Sequence, residues 1–165
     1  MSSSDRRQFL LLMAALPVAG CGFAPAYGTG EAAYGLQGRV RVDDPSDKNA
    51  FDLVQRLEER LSRPEAPRYA LSYSITTNAI GVGITPENAI TRYNLTGAVD
   101  WGLTDTTTGT RLTGGRVNNF TSYSATGSTV AGLAAEQDAA LRLMRILADQ
   151  IVSRLIATSG QWAQE

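Results

Sequence analysis

The chain has 165 residues, and its 15 basic and 16 acidic side chains give a formal net charge of −1. That balance excludes the concentrated basic field of a general nucleic-acid binder. The chain has no histidine and a single cysteine, so it lacks the residues for Ser-His-Asp or Cys-His catalysis and for a structural zinc site. We therefore expect a protein that is not an enzyme and that holds no cofactor and no metal.

The first 20 residues have the layout of a bacterial signal peptide. Arg6 and Arg7 precede an apolar run over residues 9–16, which is shorter than the roughly 18–20 residues that span a membrane. The run leads to small residues and a thiol, Val18-Ala19-Gly20-Cys21, which resemble the bacterial lipobox. We predict that residues 1–20 are a signal peptide and that Cys21 receives a diacylglycerol. The alternative is a plain secretory peptide with an incidental cysteine.

Lipidation at Cys21 would tie the protein to a membrane without crossing it, since acyl chains contribute about 0.8 kcal/mol per buried methylene. Gly22 stands where an aspartate retains many lipoproteins at the inner membrane, so it favours the periplasmic face of the outer membrane. The pair Arg6-Arg7 also resembles a twin-arginine export signal, so the general secretory route and the twin-arginine route both stay open.

The rest of the chain is long enough for one domain. Residues 21–38 are rich in Gly, Ala, Tyr and Pro and are predicted to form a lipidated tether. Val40 and Val42 alternate with arginines and predict a short strand. Asp47 is the predicted N-cap of a helix over residues 48–63, which has one apolar stripe and is ended by the prolines that follow.

Three strands are predicted next from the alternation of polar and apolar residues. The predicted segments are a strand at residues 71–76, a turn at 81–88, a strand at 93–103, a hairpin loop at 105–109 and a strand at 110–126. Gly114-Gly115 in the last strand predicts a bulge or a sharp change of twist. Tyr93 and Trp101 fall on the apolar phase of their strand and are predicted to lie in the core.

Residues 129–158 have the clearest helical periodicity, and residues 159–165 are predicted to be a tail. The predicted order is therefore β-α-β-β-β-α within one domain over residues 39–158. The fold class that buries all these apolar faces is α+β: a two-layer sandwich in which two helices cover one face of a four-stranded, mainly antiparallel sheet.

Three arginines are candidate phosphate ligands, because a guanidinium can donate two parallel hydrogen bonds to two phosphate oxygens. Arg92, Arg111 and Arg116 lie in or beside the predicted central hairpin and could hold a phosphorylated glycolipid. The alternative is that they are cross-strand charge partners. The uncharged stretch Asn118–Ser124 is typical of a close-fitting protein interface, or else of an exposed strand end.

In this order, the elements resemble the lipopolysaccharide-assembly lipoprotein (LptE) family over most of the mature chain. The residues that carry the resemblance are Ala19-Gly20-Cys21-Gly22-Phe23, the block from Tyr93 to Asp105 with Gly109 and Leu112, and Tyr123 ahead of a long helix with Ile151 and Leu155 near its end. Only the lipobox is specific by itself.

The resemblance implies a lipoprotein that sits as a plug inside an LptD-type β-barrel of the outer membrane, assists assembly of the barrel and supports insertion of lipopolysaccharide into the outer leaflet. It implies no enzyme activity and carries no binding residue over to this chain. Basic residues are few, which argues against a large basic lipopolysaccharide site. The competing hypotheses are an auxiliary lipoprotein of an ABC-type lipid transport system and, with no histidine to support it, a lipid hydrolase.

Overall fold

The computed structural model describes residues 35–125 and 128–162. The predicted signal peptide, Cys21 and most of the predicted tether lie outside these residues. Within them, strands and helices follow in the predicted order: β1 (Val40–Val42), α1 (Lys48–Leu61), β2 (Tyr69–Ile84), β3 (Ile90–Asp105), β4 (Arg111–Ser124) and α2 (Thr129–Ser159).

The sheet has the strand order β1-β2-β3-β4, so the strands lie side by side in the order of the chain. The strand β1 runs parallel to β2, and the β2–β3 and β3–β4 pairs are antiparallel. The helices α1 and α2 pack against each other, and α2 covers β3 and β4. The predicted α+β sandwich is therefore confirmed, with a mixed sheet that is mainly antiparallel.

The helix α1 begins where the sequence predicts and ends two residues early. Asp47 Oδ1 accepts a hydrogen bond of 2.8 Å from the Ala50 amide, which caps the helix as predicted. At the other end Ser62 has a φ of 63°, and Arg63 precedes a proline, which disfavours helical backbone at that residue. The Leu61 carbonyl instead accepts a hydrogen bond of 2.8 Å from the Gly38 amide.

The predicted turn at residues 81–88 is wrong in its first half, because β2 continues to Ile84. Gly83 pairs with Arg92, and Ile84 pairs with Ile90, across register shifts on both sides of Gly83. The pairing with β3 therefore holds this glycine-containing segment in the sheet. The turn itself is short, and the Thr85 amide donates a hydrogen bond of 2.9 Å to the Ala89 carbonyl.

The predicted bulge at Gly114-Gly115 is also misplaced. Both glycines pair in regular register with Gly102 and Trp101, and the register shift skips Leu112 instead. This shift accompanies the packing of the partly buried Leu112 side chain against the core. The glycine at 114 has another role: a Cβ there would lie 2.7 Å from the Trp101 carbonyl oxygen, a contact that a side chain cannot make.

The core lies between the sheet and the two helices. Its largest fully buried side chains are Leu36, Leu53, Leu57, Leu61, Leu71, Leu103, Leu143, Met144, Leu147, Ile151, Leu155 and Val40. The helix α2 sits close to β3, since a Cβ on Gly97 would lie 2.9 Å from Leu143 Cδ2. Trp162 packs edge-on against Tyr69 with ring centroids 5.5 Å apart, so the folded domain continues past the predicted limit at residue 158.

A carboxylate bridges the two helices. Asp149 on α2 accepts two hydrogen bonds of 3.1 Å from Arg56 on α1 and a third of 3.1 Å from Arg60. The hydrogen bonds that Arg56 donates to Asp149, and a further one to Glu59, raise the pKa of Arg56 above its ordinary value. In the part of the chain that the structure describes, neither helix is long and apolar enough to cross a membrane.

Candidate functional site

The face of the sheet that carries no helix is the candidate functional site, and we call it the open face. Side chains alternate across a strand, so the even-numbered residues of β3, which alternate with the buried Leu95, Val99 and Leu103, point to this face. The register extends it over β2 and β4. Its central polar side chains are Ser72, Ser74, Thr76, Asn78, Asn94, Thr96, Asp100, Thr104, Arg116, Asn118 and Ser122. Most of this surface is polar and uncharged.

Charges on the open face are few and partly neutralised. Asp100 and Arg116 are directly opposite each other on β3 and β4, and Arg116 Nη1 lies 3.3 Å from Asp100 Oδ2. Both side chains are more than half exposed, so the pair contributes little to stability. The cross-strand role that the sequence left open for Arg116 is therefore present in the structure.

The second arginine, Arg111, lies flat on the sheet. Its Nη2 donates a hydrogen bond of 3.3 Å to the Trp101 carbonyl, and its guanidinium passes over Gly102 and Gly114. A Cβ on Gly114 would collide with this guanidinium. The two glycines thus make a slot that sets the position of Arg111 beside a shallow depression lined by Ser72, Ser74 and Thr104.

The third arginine, Arg92, does not join the other two. It lies on β3 opposite Gly83 and Ser124, eight residues before Asp100, which is about 27 Å along the strand. The structure therefore places Arg111 and Arg116 at one end of the open face and Arg92 near the other.

Phe120 is an exposed aromatic residue within the stretch Asn118–Ser124, which the sequence predicts to be a protein interface or an exposed strand end. It lies on β4, is 58% exposed, and borders a shallow depression of about 420 Å³ together with Thr96 and Asn118. Phe120 pairs with Thr96 of β3, so its ring lies on the open face. An exposed aromatic ring on a polar surface is typical of a contact with a partner.

The two aromatic residues that were predicted to be core differ in burial. Trp101 is 4% exposed, as predicted, and its Nε1 has no hydrogen-bond partner among the described residues. Tyr93 is only partly buried, and its ring stacks on Tyr123 with centroids 5.4 Å apart. Burial, Glu136 and Tyr93 raise the pKa of the Tyr123 hydroxyl above its ordinary value.

Asp105 holds the hairpin loop at the end of β3. Its Oδ1 accepts hydrogen bonds from the amides of Thr107 at 2.7 Å and Thr108 at 3.3 Å, and Arg68 lies 3.5 Å from its other oxygen. The two amides and Arg68 lower the pKa of this carboxyl. These contacts give the buried carboxylate a structural task in the loop. Among residues 35–125 and 128–162, no group of acidic or cysteine side chains is arranged to hold a metal ion.

Comparison with known families decides what kind of protein carries this face. A family profile described as LptE, lipopolysaccharide-assembly, matches residues 38–155, which is most of the chain. The chain belongs to the LptE family. No curated protein sequence matches this LptE-family chain at a significant level.

Solved structures share the fold of this LptE-family protein. A chain from Caulobacter crescentus that is assigned as a lipoprotein has 22% sequence identity and a TM-score of 0.68, over 81% of this chain and 99% of that one. Rare lipoprotein B from Shewanella oneidensis has 12% identity and a TM-score of 0.58, over 74% and 95%. A minor lipoprotein from Acinetobacter baumannii has 16% identity and a TM-score of 0.52, over 72% and 89%.

Proposed function

We propose that this chain is an outer-membrane lipoprotein that plugs an LptD-type β-barrel, assists its assembly and supports insertion of lipopolysaccharide into the outer leaflet. The observation that carries the proposal is the family match, which covers residues 38–155 and thus nearly all of the folded domain. The role is one of binding and assembly, without catalysis.

The polar chemistry of the open face supports the proposal that this domain is a plug. The interior of a large outer-membrane barrel is polar and wet, so a plug needs a surface that stays compatible with water and presents few unpaired charges. Here hydroxyl and amide side chains cover most of the face, and Asp100 and Arg116 neutralise each other. Phe120 supplies an apolar contact within this polar surface.

The proposal includes a lipid anchor at the start of the mature chain. Cys21 carries the lipid, Gly22 directs the protein to the outer membrane, and the domain hangs on the periplasmic side. Residues 22–34 separate the lipid from the described domain, and such a segment can extend about 45 Å. That length lets the domain enter a barrel while the lipid stays in the inner leaflet.

Co-purification tests the plug. We expect the full, C-terminally tagged chain to co-purify from its host with a large β-barrel protein, and Thr96→Arg to reduce the recovered barrel at least about tenfold, because it puts an unpaired charge in the middle of the open face. The matched control is Gln55→Arg, which adds the same charge at an exposed site of α1. Quantitative mass spectrometry of the eluate measures both.

The outcomes separate the candidate functions. Equal recovery of the barrel with both variants would remove the open face from the interface. Recovery of ABC transporter subunits without a barrel would favour the auxiliary-lipoprotein hypothesis over the plug. Hydrolysis of phospholipid or ester substrates by the purified chain would contradict the absence of catalysis.

We also propose that Arg92, Arg111 and Arg116 contact phosphates of lipopolysaccharide. We expect the triple Arg→Gln variant to lower the affinity for fluorescent lipopolysaccharide about tenfold. Most of the loss should come from Arg111, because Arg116 is already paired and Arg92 lies near the other end of the open face. The control is Arg63→Gln, an exposed arginine just after α1. If dephosphorylated lipopolysaccharide binds the unchanged protein as tightly as the phosphorylated form, phosphate recognition is wrong.

A further inference from the structure

The described domain begins at the end of the sheet where β1 and β2 both start, and we call this end the tether end. Val40 pairs there with Tyr69, and the Gly38 amide donates a hydrogen bond of 2.8 Å to the Leu61 carbonyl. Residues 22–34 therefore join the domain at the tether end. The turn between β2 and β3 is at the opposite end, about 50 Å away along the 16 residues of β3.

Arg39 and Arg41 are exposed at the tether end, and we call them the arginine pair. Arg41 alternates with Val40 and Val42, which both lie in the core, so its side chain points to the open face. Arg39 directly precedes this strand. Among the residues that the structure describes, neither arginine forms an ion pair. The charge of the arginine pair is thus available to a partner outside the domain.

The register of the sheet extends this positive charge across the open face. Arg41 pairs with Ala70 of β2, which pairs with Thr104 of β3. Thr104 pairs in turn with Arg111 of β4. Three steps of about 4.8 Å between neighbouring strands place Arg41 and Arg111 about 14 Å apart in one row. Positive side chains therefore lie at both edges of the sheet at the tether end.

The acidic side chains of this region do not cancel the positive charge. Asp105 is already paired with Arg68. The acidic turn 43–47 leads to α1, and burial and its carboxylates raise the pKa of Tyr73, whose side chain packs against the core on the helix side. Glu65 is exposed at the tether end, but in the described part of the chain it stands against three arginines without an ion pair.

We propose that the tether end lies on the membrane that holds the acyl chains, with Arg39 and Arg41 against the phosphates of anionic phospholipid head groups. The proposal rests on the anchor at Cys21, which keeps this end of the domain close to the lipid surface. Guanidinium groups bind phosphate oxygens through parallel hydrogen bonds, and a negatively charged leaflet attracts them. The opposite end has Glu87 and Arg92, one charge of each sign, so the charge distribution favours the tether end at the membrane.

This orientation is compatible with a plug. The sheet is about 50 Å long, whereas the apolar band of an outer-membrane barrel is about 25 Å tall. A barrel wall therefore leaves part of the sheet outside the hydrocarbon region. If the turn between β2 and β3 enters the barrel first, the tether end stays at the periplasmic mouth, at the level of the head groups.

Fluorescence quenching tests the orientation in vesicles that contain neither a barrel nor lipopolysaccharide. The full, lipidated chain carries a fluorophore on Thr107→Cys, an exposed loop position at the tether end, and the quencher is a nitroxide on the lipid head groups. We expect roughly threefold more quenching in mixed phosphatidylglycerol and phosphatidylcholine vesicles than in phosphatidylcholine alone. A fluorophore on Ala89→Cys, exposed in the turn at the opposite end, should be quenched little in either.

Charge removal assigns the effect to the arginine pair. Arg39→Gln with Arg41→Gln should reduce quenching of the Thr107→Cys fluorophore in anionic vesicles to the level in neutral ones. The matched control, Arg142→Gln with Arg145→Gln, removes the same charge from exposed positions on α2 and should change little. Equal quenching in the two kinds of vesicle, or an equal loss in the control, would overturn the proposal.

Two further outcomes separate this proposal from the proposed function. If removal of the arginine pair lowers the affinity for lipopolysaccharide but leaves quenching unchanged, the ligand is not the phospholipid surface and the proposal is wrong. Flotation with neutral vesicles reports the anchor by itself. A chain that does not float lacks the anchor, and the orientation is then wrong with it, whereas a chain that floats without the charge-dependent quenching contradicts the orientation alone.

Discussion

Replacing Cys21 by alanine should abolish incorporation of palmitate and leave an uncleaved or soluble form of the protein. The thiolate is the only side chain in the chain that can accept a diacylglycerol as a thioether, since Cys21 is the single cysteine. One acyl chain holds a protein weakly and two or more hold it firmly, so loss of the whole lipid group should release the domain from membranes. Metabolic labelling and membrane fractionation measure the two effects.

The control for this result is Cys21→Ser, which keeps a small polar side chain without the thiol and should behave like the alanine variant. Palmitate label that persists in either variant would show that the lipid is attached elsewhere. Mass spectrometry of the native protein with the first 20 residues still present would contradict the signal peptide.

The second large effect should be a loss of stability when the contact between α2 and the sheet is weakened. Leu147→Ala should lower the free energy of unfolding by about 2–5 kcal/mol, because it leaves a cavity in a close-packed core. Leu147 is fully buried, and its Cδ1 would lie 3.2 Å from a Cβ on Gly97, so it packs directly on the backbone of β3. Thermal and urea unfolding of the chain measure the change, and Tm should fall by roughly 5–15 °C.

The neighbouring residue provides the matched control. Ile146 is 37% exposed on the same helix, so Ile146→Ala removes a similar side chain from a wet surface and should cost less than about 1 kcal/mol. Equal losses in the two variants would mean that α2 does not sit on β3 as described. A larger loss for Ile146→Ala would place the buried face of the helix a quarter-turn away.

The same sheet has two sides with different chemistry. Leu147 and its neighbours bury one side under α2, while the open face carries hydroxyl and amide groups and one ion pair. This division follows from the period of two in β3, in which Val99 and Trp101 point inward and Asp100 points outward. A partner that meets the open face therefore need not disturb the core.

The wrong predictions of a turn from Gly81 and of a bulge at Gly114-Gly115 have the same cause, which is strand pairing. Gly81 and Gly114 each look like breaks when only near neighbours are considered, because glycine weakens an isolated strand. In the folded sheet the partner strand provides the hydrogen bonds that keep both segments extended. Gly114 is then required for a reason that lies on the neighbouring strand, since a Cβ there would lie 2.7 Å from the Trp101 carbonyl oxygen of β3.

The relative positions of the predicted phosphate ligands also depend on strand pairing. The sequence identifies Arg92, Arg111 and Arg116 as being in or beside one hairpin, but a strand advances about 3.3 Å per residue, so residues of one hairpin can lie far apart. Only the register shows that Arg116 faces Asp100 and that Arg92 lies near the other end of the open face.

By itself, the sequence determined the order of the elements, the cap at Asp47 and the buried phase of β1, β2 and β3, because capping and side-chain alternation are properties of a few neighbouring residues. The tertiary structure alone decided the strand order, the register, the slot for Arg111 and which end of the sheet joins the tether. Those features depend on hydrogen bonds and packing between segments that are distant in the chain, so no short window of residues contains the information.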